Sequence, residues 1–499
     1  MDLVANLWLG FTTAASAINL LYCLVGVFLG TAIGVLPGLG PVATIAMLLP
    51  VTFGLPTVTA LIMLAGIFYG AQYGGSTTAI LVNLPGESSS VVTALDGYKM
   101  ARQGRAGVAL ATAAIASFFA GTVTTFLIAL AAPPLSEVAL KFGPADYFSL
   151  MVLGLVASIV LASGSLLHAL GMIMLGLLLG LVGTDVNSGM ARFSFDTPEM
   201  ADGINFVVVA MGVFGLGEII SNLQDEHERT LAMTKITSLM PSKEDFKRII
   251  APTLRGTALG SALGILPGGG AMLSSFSAYS LEKKVSRNRK EFGKGAIEGV
   301  AAPESANNAG AQASFIPMLT LGIPSNPVMA LMIGALIMHG IQPGPQVMTE
   351  QPALFWGLVA SMWIGNLFLL VLNLPLIGLW VRMISVPYHF LYPAILVFCA
   401  IGVFSLSNTT FDVYLMALFG VLGYIFRKLD CEPAPMMLGF ILGPMMEEYL
   451  RRALLISKGN AMVLLTRPIS ATLLIVSAVA LVIVLLPALR KKREEAFQE

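Results

Sequence analysis

Residues 1–98 contain neither lysine nor arginine, and their only charged side chains are Asp2, Glu87 and Asp96. Charge is thin throughout. Only 11% of the 499 residues are charged, where a soluble protein carries about 25%. Cysteine is scarce as well. Cys23, Cys399 and Cys431 stand far apart, with no CxxC or Cys/His spacing, so neither a zinc site nor a disulfide framework is indicated. The four histidines are scattered, and His168, His339 and His389, in or near apolar runs, have no acidic residue within a helical turn, which weakens a proton-relay reading for each. No Ser-His-Asp or HExxH arrangement appears, so a membrane-embedded enzyme is not expected. No nucleic-acid partner and no bound cofactor are expected either.

Apolar residues are abundant instead. They make up 56% of the chain, with a mean hydropathy of +0.83. That much apolar surface does not fit inside one water-facing globule, so its solvent is a lipid bilayer. The start of the chain lacks the basic residues of a signal peptide, and no cleavage is expected. Uncharged runs at 106–132, 165–183, 353–381, 391–411 and 468–489 reach the roughly 20 residues that a spanning helix needs. Shorter ones lie at 147–162, 204–217 and 413–426, and residues 3–81 hold several more. The expected fold is an all-α polytopic membrane protein with about ten to twelve spanning or half-spanning helices.

The chain repeats. Residues 30–40 read GTAIGVLPGLG and residues 260–270 read GSALGILPGGG, seven identities in eleven at an offset of 230. A second pair follows at an offset of about 239, YGGSTTAILVNLPGES at 73–88 and NNAGAQASFIPMLTLGIPSN at 307–326. Charge orients the two halves. After the first LPG segment, 50–57 is uncharged, while 99–105 carries Lys99, Arg102 and Arg105. In the second half the order reverses. Six cations fill 282–294, and 339–349 has none beyond His339. By the positive-inside rule, equivalent loops lie on opposite faces. That is an inverted repeat, the plan of many secondary transporters. The expected organisation is a first membrane repeat with following helices over 1–220, a cytoplasmic basic linker at 221–255, a second repeat core at 256–350, and C-terminal helices with a basic tail at 351–499. Charge alone leaves the end of the chain open. If 434–446 crosses, Arg451 and Arg452 lie outside; if it re-enters, the tail does.

Two kinds of motif carry chemistry. Gly38, Gly40, Gly268 and Gly270 form glycine-rich turns that could present backbone N–H groups to an anion. No Lys-Ser/Thr follows them, so they are not phosphate loops. The competing reading is that LPG breaks a helix and lets helices approach.

The second motif is polar. Tyr73, Gly74, Gly75, Ser76, Thr77, Thr78, Asn83, Pro85 and Glu87 interrupt an apolar chain. In lipid each unsatisfied polar group costs several kcal/mol, so they must face protein or water. Gly74-Gly75 predicts a helix end, Ser76 an N-cap, and Pro85 the end of a half-helix whose N-terminus suits an anion at mid-membrane. The twin stretch offers Asn307, Asn308, Gly310, Ser314, Thr320, Ser325 and Asn326 as donors and acceptors. Freed carbonyls around Gly322 and Pro324, with Asn326, are candidates for Na⁺, the expected coupling ion; no other metal is expected. Polar glue between helices is the alternative for both stretches. Glu304 either couples ion movement or pairs with a cytoplasmic lysine.

At these residues the chain resembles a family. GVLPGLGP (34–41), YGGSTTAILVNLPGE (73–87), RFSFDTPEMADGINFVVVAMGVFGLGE (192–218), GILPGGGA (264–271) and PESANNAGAQASFIPMLTLGIPSNPVMALMIGAL (303–336) look like the TctA family, the large membrane subunit of tripartite tricarboxylate transporters. The likeness runs from about residue 20 to 470. It implies a permease in the bacterial inner membrane, a small TctB-like membrane subunit, and a TctC-like periplasmic binding protein. It also implies a di- or tricarboxylate substrate such as citrate, driven by an ion gradient, commonly Na⁺. A homodimer through the uncharged helices is expected too. The runner-up is a carboxylate channel that needs no binding protein.

Overall fold

In the computed structural model, residues 3–36, 40–84, 86–161, 165–185, 188–224, 239–266, 270–384 and 388–485 are described. They are almost wholly helical, and the one small sheet pairs Gly183–Thr184 with Ala191–Arg192. Five helical runs are long and apolar enough to cross a bilayer: Ala17–Gly34, Thr57–Val82, Ser88–Ala139, Pro352–Asn373 and Thr410–Lys428. Shorter apolar helices pack among them. The chain is therefore an all-α membrane protein, as composition predicts.

The repeat is visible as a packing rule. Ala17–Gly34 lies along Thr57–Val82, with Gly26, Gly30 and Gly34 against the backbone of Met63, Ile67 and Ala71. Lys243–Gly264 lies along Glu298–Ala313 in the same way, with Gly256, Gly260 and Gly264 against Ala302, Ala306 and Gly310. The glycines recur at an offset of 230 and their partners at 239. Apolar side chains gain nothing by leaving lipid for one another. Small residues that admit backbone-to-backbone contact therefore hold such pairs together.

The halves are inverted. Phe315 lies against Phe68 and Tyr69, at ring-centroid distances of 6.3 and 6.0 Å. Ser76, a turn or two further along its helix, bonds Glu304, at 2.8 Å. Moving up one helix means moving down its repeat-mate, so the mates run antiparallel.

Loop pairing agrees with the charge pattern. The basic loop after Val91–Met100 meets the basic loop of the other half. Gln103 donates to the Lys294 carbonyl, at 2.8 Å. Asp96 accepts from the Gly295 and Ala296 amides, at 2.8 and 2.9 Å, and from the Tyr279 hydroxyl, at 2.9 Å. Arg105–Asp245, Arg248–Glu298 and Arg255–Glu282 pairs, at 2.6 to 2.8 Å, sit among these segments. On the uncharged side, His339 bonds the Thr52 backbone.

Two sequence readings are refined here. The span 221–255 is helical at both ends, in Gly217–Gln224 and in Lys243–Gly264, whose start is fixed by a Ser242/Asp245 capping box; residues 225–238 lie outside the described residues. Near the end of the chain, Ala434–Ile456 is one continuous helix through 434–446. It carries Tyr449 to Gln342 on the uncharged-loop face. Arg451 there pairs with Asp185 and Glu447, at 2.8 and 2.6 Å, and Arg452 pairs with Glu448.

The packing rule makes a prediction. A methyl group on Gly260 would press on the Ala306 backbone, whereas one on Gly171 meets nothing within 4 Å. Gly260→Ala is expected to destabilise by about 1–3 kcal/mol. Gly171→Ala, inside the Leu166–Gly180 helix, is expected to be neutral or stabilising by up to about 1 kcal/mol. Thermal unfolding of the two variants in detergent, followed by size-exclusion chromatography, checks the contrast.

Candidate functional site

Both polar stretches are breaks in helices, but the first break falls later than the sequence predicts. Thr57–Val82 runs unbroken through Gly74, Gly75 and Ser76. These glycines are packing positions: Gly74 lies on the backbone of Thr31 and Val35, and a side chain on Gly75 would strike Glu87. Ser76 caps nothing and bonds back to the Gln72 carbonyl, at 3.0 Å. The helix ends at Asn83, which turns left-handed at φ 59°. The chain then doubles back so that the Gly86 amide reaches the Gly75 carbonyl, at 3.4 Å. Helix resumes at Val91 after a 3₁₀ turn at Ser88–Ser90. The interior helix N-terminus thus lies near Ser88–Val91, not at Ser76.

The second half repeats the plan at the offset of 239. Gly322 turns left-handed at φ 71° where the first half has Asn83. Ser325 reaches back to the Ser314 carbonyl, at 3.2 Å, as Gly86 reaches Gly75. Asn326 caps Pro327–Met338 by accepting from the Met329 amide, at 2.9 Å.

At the interface of the halves lies a seam of buried polar groups. Glu304 is fully buried and accepts from Thr93, at 2.5 Å, Ser76, at 2.8 Å, and Ser117, at 3.4 Å. Asn308 donates to the Ser117 hydroxyl, at 2.7 Å. Ser89 touches Gln72 at 2.9 Å, Asn307 at 2.8 Å, and Glu87. Tyr73 donates to Asn366, at 2.9 Å, and Gln312, the repeat-mate of Tyr73, accepts from Thr125. Tyr73, Ser76, Thr77, Ser117, Glu304 and Asn373 line a cavity of about 10 Å³, room for about one water. A larger pocket, about 210 Å³, opens beside Leu321 between Tyr147, Gln342, Tyr449 and Arg452.

The structure therefore brings Tyr73, Ser76, Asn307 and Asn308 together. It turns Thr77, Thr78 and Thr320 back onto carbonyls of their own helices. Asn83 is exposed at the turn. Gly310 is a packing residue against Gly264 and Ser274. Gly40 does not await a foreign anion, because its amide meets the Glu218 carboxylate, which itself pairs with Arg427, at 3.2 Å. Gly270 starts the Gly270–Val285 helix beside Asn326. Gly38, Pro85 and Gly268 lie outside the described residues, and Pro324 is buried in the non-helical segment between Phe315–Leu321 and Pro327–Met338. The lysine-partner reading of Glu304 is overturned. Among the described residues its partners are hydroxyls.

The motifs alone left out Gln72, Ser89, Thr93, Ser117 and Asn366. Ser89 and Thr93 stood just past the quoted stretch. Ser117 and Asn366 are single polar residues in apolar helices, and only the fold shows which side they face.

Fold and seam together define a polytopic membrane protein built from inverted halves with discontinuous helices, the architecture of a secondary transporter. The tripartite tricarboxylate transporter TctA family matches residues 20–438, and the chain belongs to that family. It is similar over its whole length, at 62% identity, to a 52.8 kDa protein encoded in the TAR-I ttuC' 3' region of Agrobacterium vitis, covering 99% of that relative. It is 60% identical over 240 residues, 48% of this chain, to a protein of the TAR-II ttuC' 3' region of the same organism, covering 99% of it. No solved structure matches the chain. As a family member it is the membrane component of a tripartite transporter, which implies partners of the TctB and TctC kinds.

Ser76 and Asn308 hold the two sides of the seam. Ser76→Ala and Asn308→Ala are expected to raise half-saturating substrate about threefold to tenfold each, the equivalent of one hydrogen bond of about 0.5–1.5 kcal/mol. Membrane insertion should stay normal. Uptake kinetics beside a membrane-fraction immunoblot check this, and wild-type affinity in both variants would remove the seam from the substrate site.

Proposed function

We propose that this chain is the permease of an ion-driven importer of di- or tricarboxylates, citrate being the class example. In this reading it resides in the bacterial inner membrane with its basic face toward the cytoplasm. A TctC-like periplasmic protein delivers the substrate, a small TctB-like subunit completes the complex, and two permease cores pair through uncharged helices.

The supporting observation is the pair of inverted breaks. Each places a helix start inside the protein, at Ser88–Val91 and at Asn326–Pro327, beside a seam rich in hydroxyls and amides. Neither stretch contains a lysine or arginine. Burying a bare carboxylate costs far more than one hydrogen bond returns. Helix starts, side-chain donors and a co-bound cation must share the neutralisation, which favours coupling to Na⁺. A channel needs a continuous lined pore. Matched inverted breaks around a closed seam suit alternating access better.

Proteoliposomes holding this chain with its two partner subunits test the reading. Labelled citrate and smaller dicarboxylates are expected to accumulate only with the binding protein present and with an inward sodium gradient. Full transport by this chain alone would refute the tripartite assignment, and equal uptake in choline medium would refute the sodium coupling.

A further inference from the structure

The Ser89 hydroxyl is surrounded by acceptors. Gln72 Oε1 lies 2.9 Å from it and Asn307 Oδ1 lies 2.8 Å away. Glu87 Oε1 is its third neighbour. A hydroxyl has one proton and can satisfy one acceptor. With Glu87 ionised and the Gln72 and Asn307 amides oriented as they are, two of the three oxygen–oxygen approaches have no hydrogen between them. Gln72, Ser89 and Asn307 are all at most 1% exposed, so water does not relieve the crowding.

Glu304 makes the comparison. Its carboxylate has three separate hydroxyl donors, Thr93, Ser76 and Ser117. Charge-assisted bonds return about 1.5–3 kcal/mol each, which offsets a desolvation cost of several kcal/mol. Glu87 shares the single Ser89 proton, and Asn307 Nδ2 donates to it from 3.4 Å. The Gln72 side chain also reaches it. No lysine or arginine pairs with it among the described residues.

We propose that Glu87, Ser89, Gln72 and Asn307 form a binding site for one sodium ion, where the doubled-back segment of the first half crosses the Glu298–Ala313 helix. Four oxygens of carboxylate, hydroxyl and amide type suit a small hard cation. One carboxylate matches one positive charge, whereas a divalent ion at an all-protein site draws on several carboxylates. Glu87 itself is only partly buried and neighbours the exposed Ser88, which gives the ion a way in. The site has no counterpart at the other break. At the offset of 239, Glu87, Ser89 and Gln72 correspond to Asn326, Val328 and Ala311, and Asn307 corresponds to Phe68. Asn326 Oδ1 already accepts the Met329 amide. This places the coupling ion at the first break, and it rests on the transporter reading above.

The purified full-length chain tests it, with thermal unfolding titrated by sodium chloride against choline chloride at constant ionic strength. Wild type should be stabilised saturably by sodium. Glu87→Gln and Ser89→Ala should each raise half-saturating sodium at least about tenfold, the loss of one contact of about 1.4 kcal/mol or more. Asn326→Ala should keep the wild-type sodium response. Ser89→Ala carries the test if Glu87→Gln does not fold. No sodium response in wild type, an unchanged half-saturation in the variants, or a response to pH in place of sodium would each overturn the site. The two readings fail separately. If sodium binding is lost in the variants but wild type moves no carboxylate, the transport reading falls and the site stands. If wild-type uptake needs sodium but the variants keep its half-saturation, the site falls and the transport reading stands.

Discussion

Close backbone contact between helices is the constraint on which the rest of this structure depends. In a bilayer, apolar side chains gain nothing by meeting one another, so small residues must let helices touch along their main chains. Gly26, Gly30 and Gly34 do this in one half, and Gly256, Gly260 and Gly264 in the other. The two pairs form a matched frame from which each broken helix is hung. Gly75 shows how tight the frame is, since a single added carbon there would collide with Glu87. Close packing at the breaks is what sets polar side chains at fixed positions in the interior.

That interior is polar without being basic. Hydroxyls and amides surround Glu304, and the hydrogen bonds cross from one half to the other. Groups that bridge two inverted halves feel any relative movement of those halves, so the seam is where binding and motion can be coupled. Among the described residues no guanidinium lies in the seam, and the proposed ion coupling rests on that.

The two faces are closed by different forces. On the basic face, the Arg105–Asp245 pair and the three bonds to Asp96 tie the loops of both halves together. On the opposite face, the equivalent loops 50–57 and 339–349 have no charge beyond His339. An inverted repeat makes two closures geometrically equivalent, and the charge pattern makes them chemically different. Opening the ionic face costs the bonds of specific pairs. On the other face the ion pairs, Arg451 with Asp185 and Glu447, lie outside these two loops.

The amino-acid sequence was enough to read the membrane class, the two halves and their inversion. Composition, the LPG repeats and the alternation of loop charge are long-range statistics that no local detail overturns. It also marked Tyr73, Ser76, Asn307 and Asn308. It misplaced the first break, because Gly74-Gly75 reads as a helix end when close packing, not a turn, requires small residues there. It assigned Gly40 to a foreign anion, unaware that Glu218, 178 positions away, supplies one. Ser117, Asn366 and the oxygens around Ser89 became meaningful only through tertiary structure. A single polar residue in an apolar run does not say whether it faces lipid or a partner, and that choice is made by helices far apart in the chain.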